Sequence, residues 1–266
     1  MDLTTLHDYA DELMKRLRLR TYPLAVKLIE REEQIPDEAM RPMRDEGFHY
    51  DLCQAFALCR REATTVALLI DDMWCFEPVI GYGMVEPPQD FLDGKNRYPK
   101  DVASLKAGSN YAADMPRMDA GTYIGVVAAP LHLTAVVPDV IAIYADTEQL
   151  SLLLLAREHK DGHDLSLHLS SHAACVYGVV PSMKSGECSV AIPCRGDHYN
   201  AMAGNDEMIF SMPLSKISEI MTGLRFLETT GSRIPRTYKM QREPLHPDSY
   251  HEIAAQIGMA SERTKD

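Results

Sequence analysis

The chain has 266 residues, 45% of them hydrophobic, and a formal net charge of -12 from 39 acidic against 27 basic side chains. That length and apolar content can fill the core of one large domain or two small ones. The negative surface would repel a phosphate backbone or an anionic leaflet, which counts against nucleic acid and membrane as partners.

The dense apolar run "LSLLLLA" has seven residues, far short of the roughly 20 that cross a bilayer. The opening "MDLTTLHDYADELMKRL" carries acids early and no signal-type apolar region, so a cytoplasmic protein is expected. Within that opening, Leu6, Ala10, Leu13, Met14 and Leu17 recur at helical spacing. Pro23 then marks a boundary before the strand "LAVKLIE", where Lys27 interrupts an apolar run: it either snorkels from a strand edge or faces a pocket as a catalytic group. After a polar connector, a helix is predicted from Tyr50 to Glu62 and a strand over "TTVALLI", ending at "DDMWCFEPVIGYGM".

Further on, "DVASLKAGSNYAADM" reads as a helix, and "YIGVVAAPL" and "DVIAIYAD" as strands. Next comes "TEQLSLLLLAREHK", a helix with Thr147 as its N-cap. "DLSLHLS" (strand), "SHAACVYGVV" (helix), "SVAIPC" and "EMIFSMP" (strands) and "LSKISEIMTGLRFLETT" (helix) follow. Intermixed strands and helices with no Gly/Ser/Pro-rich linker predict an α/β or α+β fold with a mixed sheet in one compact unit, residues 1–231. The Pro-interrupted tail, 232–266, is expected to pack on that domain or on a partner subunit before a last short helix, which leaves a homo-oligomer open.

Six cysteines stand at 53, 59, 75, 175, 188 and 194. In a reducing compartment they need not form disulfides, which leaves metal binding, reactivity and plain packing. Cys53 and Cys59, six residues apart in one predicted helix, lie about 120° apart around it and cannot easily share an ion, so Cys59 reads as core. Cys188, in the turn "KSGECS", reads as exposed and incidental. Cys53 and Cys175 sit early in predicted helices, while Cys75 and Cys194 follow strands; such positions can converge in a site, and a helix start favours the thiolate that binds metal.

"LAVKLIE", "CQAFALCR", the "MWC" loop, "YIGVVAAPL", "PDVIAIYAD", "AAC" and "IPCRGDH" fall in the order and rough spacing of a bacterial and archaeal family called domain of unknown function 169, which the chain resembles from about Tyr22 to about Leu227. Within that resemblance Cys53, Cys75 and Cys194 look like the family's recurring thiols, with Cys175 similar. The family's Pro-Cys-x-Gly-Asp motif usually runs on into arginine, where this sequence has His198. No activity comes with the family, so the chemistry rests on residue types.

A dispersed all-thiolate set suits a 4Fe-4S cluster better than structural zinc, which lacks its usual compact CxxC pairs here. Three thiolates would leave one iron open as a Lewis acid for a non-redox lyase, a hydratase or a sulfur-handling enzyme; four would close the cluster. Asp197 and His198 are the candidate proton-transfer groups. Arg60, on the Cys53 face of its helix, is the candidate for holding a substrate carboxylate, with Gln54 beside Cys53 and Tyr82 walling an aromatic pocket with Trp74. The histidines 159, 163, 168 and 172 hint at zinc but form no HExxH motif. The partner is therefore a small-molecule substrate or ligand, and the alternative function is a redox or small-ligand sensor using the same cysteines.

Overall fold

The computed structural model describes residues 1–234 and 246–259. Along the chain run α1 (Leu3–Leu17), β1 (Leu24–Ile29), α2 (Pro42–Asp45), α3 (Leu52–Glu62), β2 (Val66–Leu69), α4 (Phe76–Gly81), α5 (Gln89–Leu92), α6 (Leu105–Asp114), β3 (Gly125–Pro130), β4 (Val140–Ala145), α7 (Thr147–Glu158), α8 (Ala174–Ser185), β5 (Ser189–Ala191), α9 (Arg195–Asn200), β6 (Met208–Pro213), α10 (Ile217–Thr229) and α11 (Asp248–Gln256). The strands form one six-stranded sheet in the order β2-β3-β1-β4-β6-β5.

The expected mixture of helices and strands is present. Pairing between these strands is antiparallel throughout, and parallel pairing enters as single bridges, Met40 to Val66 and Tyr50 to Met73. Continuous apolar strands usually signal parallel sheets; here they arise because helices cover both faces. Leu24, Val26 and Leu28 of β1 and Val140, Ala142 and Tyr144 of β4 face a core built with α3 and α8. Ala25, Ile141, Ile143, Phe210 and Met212 point the other way, into a core with α1, α7 and α10. The period of two splits β1, β4 and β6 between the two cores, while Ala67 of β2 and Val127 of β3 join a smaller third cluster, and burial of both faces erases the polar alternation.

Several local expectations change. The N-cap of α7 is Asp146, whose carboxylate accepts from the N–H groups of Glu148 and Gln149, and not Thr147. Residues 164–170 form no strand. Cys188, expected in an exposed turn, is buried in the second core, while Cys59 is core as expected, its thiol donating to the Ala128 carbonyl at 3.2 Å.

Two compact units divide at Ile234 and Pro235. The second contains α11, with His246 stacked on Tyr250 at 4.1 Å between ring centroids; the expected packing of the tail falls in large part on residues 235–245 and 260–266, outside the described residues. Among the described residues no helix is long and apolar enough to cross a membrane.

Candidate functional site

The four cysteines that the sequence groups together all line one cavity of about 360 Å³. Cys53 is the second residue of α3 and Cys175 the second of α8, while Cys75 and Cys194 are the N-cap residues of α4 and α9. The positive ends of the two longer helices, α3 and α8, therefore flank the thiols and favour negative charge there. At Cys194 the cap is reciprocal: the Asp197 N–H donates to the thiol sulfur, and the Asp197 carboxylate accepts the Cys194 N–H at 3.0 Å. Asp197, 1% exposed, also accepts from the Tyr144 hydroxyl at 2.9 Å, which fixes it from below.

Burial raises all four thiols above the ordinary thiol range. Cys194 is pushed up to about 11, by burial and then by the Asp197 carboxylate, against the opposing N–H groups of Asp197 and Ala174. Cys53 is raised by burial and then by Asp197 and Asp51, with the Gln54 N–H opposing. For Cys75 the causes are burial and then Glu77, with the Glu77 N–H opposing. Cys175 is raised by burial and then by Cys75, Asp197 and Cys194. Without a cation these groups are neutral thiols at physiological pH, and the thiolate is the reactive form of cysteine.

A second chain of contacts lines the cavity. The Cys75 thiol donates to Glu77 Oε2 at 3.0 Å, and Glu77 Oε1 accepts from Arg97 at 2.7 Å. Arg97 also donates to Asp101 and to the Tyr111 hydroxyl and lies over the Tyr111 ring. Asp51, Lys100, His172, Arg195 and Tyr199 complete the charged and titratable lining.

The remaining sequence candidates are placed elsewhere. Arg60 does not line the cavity: it is 1% exposed, lies 4.0 Å from the Tyr144 ring centroid, and is bonded to Glu207, Thr21 and the carbonyls of Ala201 and Met202. Gln54 is the return half of the α3 capping box, its Oε1 accepting the Asp51 N–H at 2.9 Å. Tyr82 is fully buried and donates to the Cys175 carbonyl at 3.0 Å, a positioning contact behind the thiol; Trp74, 76% exposed, walls no pocket with it. His198 is exposed, its ring bonded to the Ala203 carbonyl. Lys27 stands inside the sheet, on β1 between β3 and β4, and pairs with Asp139 at 2.7 Å beside a different cavity. Of the four histidines, His172 alone reaches the thiols' cavity.

Sequence reasoning passed over Arg97, Lys100, Glu77 and Tyr144, and gave Arg195, beside Cys194 at the strand end, no role. Arg97 and Lys100 lie in "KNRYPKD", whose composition is that of a solvated turn. Nothing local announces that Arg97 is buried; the signal is tertiary.

A family profile described as "Uncharacterised ArCR", domain of unknown function 169, matches residues 12–223. The chain belongs to this family. Similar to it is a protein of Methanocaldococcus jannaschii named as "Uncharacterized protein MJ0308", 23% identical over 228 residues that cover 84% of this chain and 95% of the relative. No solved structure matches. All four cavity cysteines of this family member fall inside the matched span.

The donor set can be tested against a metal. Among the described residues no group of three or more His, Cys, Asp or Glu side chains is arranged to hold a metal ion, so the four thiols do not stand as a preformed metal site. The thiols instead surround a space. Gly196 helps keep it open: a Cβ there would lie 3.6 Å from both the Cys53 and the Cys194 sulfur. The lining thiols are the donor type that iron-sulfur clusters take.

Proposed function

We propose that this protein is a cytoplasmic iron-sulfur enzyme of the non-redox lyase or hydratase kind, with a 4Fe-4S cluster held by Cys53, Cys75 and Cys194 and with Cys175 beside it. The observation that carries the reading is the meeting of four thiols from four separate elements at one cavity. Backbone N–H groups oppose the rise at Cys53, Cys75 and Cys194 but are absent from the main influences on Cys175, which supports the first three as the ligands. A cluster bound by three thiolates supplies one iron as a Lewis acid.

The chain's own residues do the rest. Asp197, beside Cys194 and fixed by Tyr144, is the group that moves a proton at its carboxylate. Arg60, paired with Glu207, lies against the ring of Tyr144, the residue that fixes Asp197. The six unpaired cysteines suit a reducing compartment. A thiol-only sensor is disfavoured, because thiols raised by burial are poor nucleophiles at neutral pH.

Purification without oxygen tests the reading. The protein is expected to be brown, with iron and acid-labile sulfide in roughly equal amounts. Colourless protein with intact thiols and no iron would overturn it.

A further inference from the structure

The cavity that holds the thiols has unused hydrogen-bonding capacity of one sign. Its three carboxylates are each engaged: Asp51 with the α3 cap and with Asn200 at 2.8 Å, Glu77 with Cys75 and Arg97, Asp197 with Tyr144 and Cys194. The donors are not. Arg97 is 7% exposed, and its buried Nε has no hydrogen-bond partner, although its terminal nitrogens are occupied by Asp101, Glu77 and Tyr111. Lys100 and Arg195, both exposed, make no ion pair among the described residues; Arg195 lies 5.1 Å from the Tyr199 ring centroid.

Two unpaired cations lining the same cavity specify the charge of a ligand there. The whole protein carries -12, and three carboxylates line the cavity as well, so anion capture there rests on Lys100 and Arg195, the two lining cations without an ion pair.

We infer that the cavity takes a small oxyanion-bearing molecule, of carboxylate or phosphate type, on Lys100 and Arg195, which line it together with the thiols. The assignment deepens the reading above and rests on it for the catalytic role, but anion binding itself is measurable with or without a cluster. Arg195 offers a fork without an ion pair, and Lys100 a mobile point charge, while Glu77 and the Tyr111 ring hold Arg97 in the lining. This is the role that the sequence gives to Arg60, transferred to a residue that reaches the cavity.

The experiment is calorimetric titration of the full chain, purified without oxygen, with malonate and separately with inorganic phosphate, alongside iron and sulfide analysis of the same samples. Binding of at least one probe is expected. Lys100→Ala and Arg195→Ala should each weaken it roughly tenfold, through loss of a charge-assisted contact, with iron content and melting temperature unchanged. Lys106→Ala, an exposed lysine outside the lining, should leave it unaltered. The stronger probe tells carboxylate from phosphate. No binding of either probe, or equal weakening in the Lys106 variant, would overturn the anion site whatever the iron content; normal anion binding in protein without iron would instead sink the cluster reading alone.

Discussion

Arg60 is the residue on which sequence and structure assign opposite roles, and Arg60→Met separates them. The substitution keeps an apolar stem but leaves Glu207, 6% exposed, without its cation at 3.4 Å. Breaking a buried ion pair from one side costs about 3–5 kcal/mol. The bonds from Arg60 to Thr21, Glu207, Ala201 and Met202 are all 3.3–3.4 Å, at the long end of the range, so the lower figure applies. At about 2–4 °C per kcal/mol for a unit of this size, a loss of about 3 kcal/mol lowers the melting temperature by roughly 6–12 °C. Adding Glu207→Gln removes the stranded charge while keeping an acceptor for the Gly204 N–H, and should recover most of the loss. Calorimetric melting of the wild type, both single variants and the double variant measures the coupling. An Arg60→Met protein that melts with the wild type yet no longer binds malonate would refute the burial argument and return Arg60 to the ligand.

The cysteines should divide by place: Cys59→Ala and Cys188→Ala keep their iron, Cys53→Ala and Cys194→Ala lose it, and Cys175→Ser retains it with an altered spectrum, all read by metal analysis and visible absorption. Stability at alkaline pH follows from Cys59, which burial pushes up to about 12. A thiol whose folded value is raised contributes stability below its unfolded value near 9, and that contribution fades as pH rises through the folded one; a denaturant series across that window should therefore fall less steeply for Cys59→Ala than for the wild type, and parallel curves would count against it. Gly223→Ala should destabilise by about 1–3 kcal/mol, since a Cβ there would sit 2.2 Å from the Ala156 carbonyl oxygen where α10 meets α7; an unchanged denaturation midpoint would mean that the two helices are looser than described.

Helices such as α1 and α10 were legible because one face meets one core and the apolar spacing survives in the sequence. The strands were legible as apolar runs, but their pairing was not, because burial on both faces removes the alternation that marks an antiparallel strand. The grouping of Cys53, Cys75, Cys175 and Cys194 came from their places at helix starts and strand ends, which topology does bring together. Arg60 failed for a geometric reason: sharing a helix face with Cys53 two turns away leads it under Tyr144, toward Glu207, and away from the cavity mouth. Arg97 was unreadable because its burial depends on Glu77 and Tyr111, residues 20 and 14 positions away.

The thiols are also separated in the order in which the chain is made. Four of the six strands, β2 to β5, lie between Cys53 and Cys194, and β5, which leads into Cys194, pairs with β6 farther on. During synthesis Cys53 and Cys75 emerge long before any partner can reach them, and Cys194 has no fixed place until β6 has added to the sheet. Contacts of such long sequence separation form late in folding. The complete set of thiols exists only once the last third of the sequence has closed the sheet, so the yield of loaded protein should depend on how quickly that happens.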